Sequence, residues 1–126
     1  MPSFAIPVYL RLREEIAAAI IDGTYAEGAL LPSVRGFAAA RGANPLTVAK
    51  AYQSFQSDGL VEVRRGVGLM VVPGAAEHLR RRERERFLVE EWPALVRRMA
   101  RLGLEPAELV GAIAAGGPSG TLPDPL

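Results

Sequence analysis

A chain of 126 residues and 13.5 kDa has room for one compact domain and a small appendage, and its 49% apolar and 23% charged residues match globular usage rather than disorder. The absence of cysteine and a single histidine, His78, exclude disulfide frameworks, thiolate metal sites and cysteine nucleophiles, and leave any serine triad dependent on one residue. The formal net charge is only +1, but residues 1–34 hold two arginines against four carboxylates while residues 35–65 hold five basic side chains against two acidic ones, which suggests an electropositive face on a near-neutral body.

Pro7 can open a helix, because its missing N–H would be unpaired there in any case, and Val8, Leu12, Ile16 and Ile20 follow as its apolar positions until Asp22-Gly23 stops it. Thr24 to Leu31, with Gly28 inside, reads as a loop. Ser33 is a good N-cap for a short alanine-rich helix ended by Gly42. Asn44-Pro45 then pairs an N-cap with proline at the first helical position; Val48, Ala51, Tyr52 and Phe55 share one face of this third helix, and Gly59 stops it. From Leu60 the apolar period falls to two: Val61 and Val63 alternate with Glu62 and Arg64, Arg65-Gly66-Val67-Gly68 forms a turn, and Leu69 to Val72 is β-prone, which makes a β-hairpin.

Glu77 to Leu102 is helical again, with Leu88, Trp92, Leu95, Met99 and Leu102 spaced as a heptad seam. Pro93 removes a backbone donor and crowds the preceding turn, so a kink or break is expected near Glu91 and Trp92. Gly103 ends the segment, and Pro106 starts a last short helix carrying Leu109, Val110 and Ile113. The Gly- and Pro-rich residues 116–126 are expected to be disordered. Arg80 to Arg86 reads RRRERER, but Glu77 with Arg81, Arg81 with Glu85 and Arg86 with Glu90 lie at helical pairing distance, which favours a solvated, self-paired face. His78 has no companion at metal-ligand spacing, and no apolar run approaches the ~20 residues that span a bilayer, so no metal, no membrane and a cytoplasmic location are expected.

Three helices joined by tight turns and followed by a basic hairpin are the parts of a winged helix-turn-helix, whose third helix enters the DNA major groove. The free N–H groups of helix N-termini suit phosphate oxygens, so Ser33 and Asn44, structural caps first, are also candidate phosphate contacts. Arg35 lies in the first turn of the second helix, and Thr47 and Lys50 share a face of the third, opposite its apolar stripe. Gly66 and Gly68 permit positive φ; beside Arg64 and Arg65 they also keep the wing tip slim enough to approach a groove. No acid/base pair, metal cluster or phosphate loop points to an enzyme.

The run from Pro7 to Val72, with LPSVR, NPLTVAKAY and RRGVG in order, resembles the DNA-binding domain of GntR-type bacterial transcription regulators, and FLVEEWPALVRRMARLGLEPAELV is similar to the short two-helix tail of the YtrA-like subfamily. The resemblance implies a dimeric regulator in which Arg35, Asn44, Thr47, Lys50, Gly66 and Gly68 touch DNA and the tail dimerises. Gly36, Leu46 and Val67 depart from the family pattern, where a glutamate, an asparagine and an arginine are common.

The expected fold is therefore mostly α with a small β-hairpin: a winged helix-turn-helix over residues 1–74, then a helical hairpin over 75–115. The expected function is a homodimeric, sequence-specific DNA-binding regulator acting as a repressor on an inverted-repeat operator. Leu88, Trp92, Leu95, Met99, Leu102, Leu109 and Ile113 would form the dimer contact, no cofactor is needed, and no effector is specified. A winged-helix protein-interaction adaptor is the alternative.

Overall fold

The computed structural model describes residues 7–115, so the expectation for 116–126 falls outside the described residues. Among the described residues, six α-helices and one antiparallel hairpin follow in the order α1 (Val8–Ile21), α2 (Val34–Arg41), α3 (Pro45–Ser57), β1 (Val61–Arg64), β2 (Gly68–Val71), α4 (Ala75–Arg86), α5 (Trp92–Arg101) and α6 (Pro106–Ala114). The chain divides into two compact units between Glu83 and Arg84.

In the first unit, local chemistry sets the helix ends. Ser33 Oγ accepts from the amide of Gly36 at 3.0 Å, and Gly42 closes α2 at φ +62°, a left-handed conformation that costs glycine little. Asn44 Oδ1 accepts from the amide of Leu46 at 2.8 Å and Pro45 occupies the first turn of α3. The core gathers Ile16 and Ile20 of α1, Phe37 of α2, Val48 and Phe55 of α3, Val61 and Val71 of the hairpin, and Leu79 of α4. Ala75 and Leu79, each 1% exposed, belong to this core, so the first turns of α4 pack with the winged unit, beyond the boundary expected at residue 74.

Val8 stands 46% exposed instead of joining the α1 stripe. Steps of four residues drift from the 3.6-residue period, and by the first turn the inward position has passed to Tyr9, which packs against the core. The segment read as a loop, residues 24–31, is irregular backbone as expected, with one isolated bridge that ties it to the hairpin. Its end runs along β2: Leu30 bridges Met70, the amide of Leu31 donates to the Leu69 carbonyl at 2.8 Å, and that of Val71 to the Ala29 carbonyl at 2.9 Å. This segment thereby covers one edge of the hairpin whose other edge is β1. From the same segment Glu27 accepts from the amide of Ala76 at 3.2 Å and caps α4, and the backbone donors of Gly74 and Ala76 hold its carboxyl below the ordinary value.

In the second unit the proline effect takes the form of a π turn over Phe87–Glu91, directly before α5, with the amide of Trp92 donating to the Phe87 carbonyl five residues back. Inserting one residue per turn relieves the crowding that the Pro93 ring imposes on a regular helix. It also changes the register: the Phe87 ring comes to lie 6.3 Å from that of Trp92.

Candidate nucleic-acid interface

Burying Val48, Ala51, Tyr52 and Phe55 forces the opposite side of α3 outward, where Leu46, Lys50, Gln53 and Ser57 are exposed along one stripe and Thr47 is half-buried at its edge. Lys50 Nζ sits 4.9 Å above the Tyr9 ring, so its ammonium is oriented by α1 while remaining exposed. Ser54 is less available than its position suggests, since its hydroxyl donates to the Ala51 carbonyl at 2.7 Å.

The cap of α2 meets the wing. A cleft of about 220 Å³ is lined by Ser33, Val34 and Tyr52 on one side and Val67, Gly68 and Leu69 on the other. The Ser33 oxygen is engaged as an acceptor, which leaves its hydroxyl proton for a ligand oxygen, and the amide group of Asn44 is likewise left with its donors. Glycine at position 36 suits this cap, because a Cβ there would lie 3.1 Å from Ser33 Oγ. Tyr52 donates its hydroxyl to the Pro32 carbonyl at 2.8 Å and fixes the chain entering α2. Burial, reinforced by the nearby Tyr25, pushes the Tyr52 phenol up to about 12, against the opposing pull of Arg41.

The wing pairs Val61 with Val71, Glu62 with Met70, Val63 with Leu69 and Arg64 with Gly68, so Arg65, Gly66 and Val67 form its tip. Gly66 has φ +77° and Gly68 φ +149°, conformations that disfavour a side chain. Arg64 lies 3.6 Å from Glu62 on the same strand, which partly neutralises it. Arg35 and Arg65 are exposed and form no ion pair among the described residues.

Other basic residues are engaged by partners within the fold. Arg41 pairs with Glu15 of α1 and lies 4.6 Å over the Phe37 ring, tying α2 to α1. Asp58 joins Arg13 at 3.6 Å and Arg82 at 3.2 Å, linking α1, the end of α3 and α4. Glu77 pairs with Arg80, three residues on, at 2.6 Å, where the sequence pointed to Arg81.

In the second unit Met99 is buried at 8% exposure, while Leu88, Trp92, Leu95, Leu102, Leu109 and Ile113 are all exposed on the single chain. Phe87, Val96 and Val110, which the heptad pattern did not select, add to this apolar surface. Phe87 was invisible to a strict heptad because the π turn shifts the register ahead of Trp92.

Residues 8–71 match the model of a family described as bacterial regulatory proteins, gntR family. The HTH-type transcriptional repressor YtrA of Bacillus subtilis (strain 168) is 34% identical over 74 residues, which cover 59% of this chain and 57% of that protein. A GntR family transcriptional regulator from Listeria monocytogenes has a similar fold, with a TM-score of 0.69 at 23% identity over 87% of this chain and 95% of its own. AraR(DBD) in complex with operator ORX1 is similar with a TM-score of 0.52 at 26% identity, over 57% of this chain and 87% of that one.

Proposed function

The chain belongs to the gntR family of bacterial regulatory proteins, as a DNA-binding transcription regulator, and from that premise we propose that it acts as a homodimeric repressor on an inverted-repeat operator. The observation that carries the DNA-contact assignment is the α3 stripe of Lys50 and Gln53, presented outward by a helix whose opposite face is wholly committed to the core. Thr47 at its edge and Asn44 at its start extend the contact, Ser33 and Arg35 meet the neighbouring phosphates, and Arg64, Arg65, Gly66 and Gly68 bring the wing to the backbone or minor groove.

Dimerisation is assigned to the second unit, through Leu88, Trp92, Leu95, Leu102, Leu109 and Ile113; Met99, expected on the same seam, is already buried within one chain and offers no surface to a partner. The support for this assignment is the amount of large apolar surface that one copy leaves open there. A two-fold dimer presents α3 twice, which is why the operator should be an inverted repeat. Repression is the action named for the YtrA relative. A regulator that acts on an operator would work in the cytoplasm, where the DNA is; no described helix is long and apolar enough to cross a membrane. The mechanism calls on no cofactor, and the described residues contain no group of three or more metal-ligating side chains placed to hold an ion.

Selection from a random duplex library, followed by footprinting across a salt series, tests the whole reading. The expected result is a two-fold symmetric footprint whose log affinity falls steeply with log salt. A lone asymmetric half-site at saturation would remove the dimeric operator, and binding without salt dependence would favour the protein-interaction adaptor.

A further inference from the structure

Leu46 is 79% exposed, more than any other large hydrophobic residue among those described, and it stands at the start of the outward stripe of α3. Its neighbours along that stripe are Lys50, Gln53 and Ser57, so it is a single apolar group in a polar row rather than part of a patch. Nothing in the core needs it. The Asn44 side chain accepts from the Leu46 amide at 2.8 Å, so the backbone that carries this leucine is fixed at the helix start. Side chains of the first turn of a recognition helix are the ones that meet base edges, and the apolar feature a base edge offers in the major groove is the C5-methyl of thymine.

We infer that Leu46 is a specificity-determining residue that packs against the methyl group of one thymine in each half-site. The inference rests on the DNA-binding reading above and adds a base preference to it. A cytosine at the same place removes the methyl and strands its N4 donor against a leucine, so the contact also discriminates against the other pyrimidine. Lys50 and Gln53, the polar members of the same stripe, have the donors and acceptors to read adjoining base edges, whereas Leu46 has none.

The test uses the full chain and the duplex selected from a random library, with each thymine of one half-site replaced in turn by deoxyuridine, which removes only the methyl group. One position is expected to weaken binding about fourfold, the worth of one buried methyl-sized group, and about fifteenfold when changed in both half-sites. Leu46→Ala, which removes the contact in both protomers, should bind the parent duplex about as weakly as the parent protein binds the duplex substituted in both half-sites, lose nothing further on uracil substitution, and melt unchanged because the residue is exposed. Binding by the parent protein with no uracil-sensitive position, or equal sensitivity in Leu46→Ala, would overturn the inference while leaving DNA binding intact. A chain that selects no duplex would overturn both.

Discussion

Leu95→Glu separates the role of the second unit from that of the first. Leu95 is 41% exposed on one chain, so a glutamate there can stay solvated in the monomer. Full burial of a leucine is worth about 1.5–3 kcal/mol, and the fraction still open at Leu95 accounts for about 0.6–1.2 kcal/mol per protomer. Two copies lose about 1–2.5 kcal/mol of apolar burial, and desolvating two unpaired carboxylates adds several kcal/mol more. A total beyond about 4 kcal/mol raises the dimer dissociation constant roughly a thousandfold. Loss of bivalency should then weaken binding to a full operator by about a hundredfold or more, with binding to a half operator unchanged. Sedimentation equilibrium gives the assembly state, and titration of full and half operators gives the affinities. A variant that remains dimeric, or a parent protein that is monomeric at micromolar concentration, would refute the assignment of the tail as the interface.

Other substitutions test the first unit. Lys50→Ala should reduce operator affinity by about 1–3 kcal/mol, lowering the salt slope by about one if the ammonium meets a phosphate; Arg35→Ala should act likewise, and unchanged binding in both would remove α2 and α3 from the interface. Gly68→Val should cost about 1–3 kcal/mol through its φ of +149°, since the nearest side-chain atom, on Leu30, would lie at 3.9 Å from the new Cβ and leaves room for it. Melting and binding equal to the parent would contradict that turn geometry. The Tyr52 phenol, raised to about 12, predicts alkaline sensitivity: below the ordinary phenol value both states are protonated and the stabilisation is complete. As pH rises from about 10 to about 12 the unfolded chain ionises first and about 2–3 kcal/mol is lost, in the same direction as the raised Tyr25. Denaturant titrations of Tyr52→Phe should show a shallower alkaline decline, and an identical decline would assign it elsewhere.

What the sequence determined by itself was local. Ser33, Gly42, Asn44 and Pro45 set helix ends through bonds and backbone preferences that span no more than five residues, and the alternation of Val61 to Arg64 marks a strand without reference to anything distant. The outward side of α3 was legible for the same reason, because burying Val48, Tyr52 and Phe55 leaves only one direction for Lys50, with Thr47 at the edge. Tertiary structure decided whatever depends on partners far along the chain. Arg41 counts as part of the basic segment until Glu15, 26 residues away, engages it, and residues 29–31 are loop as read, but only the fold shows that β2 supplies their backbone partners. The apolar character of the tail was plain, but its register was not. A heptad assumes an unbroken period, and one π turn ahead of Pro93 is enough to bring Phe87 to the ring of Trp92, a shift set by backbone geometry rather than by which residues are apolar.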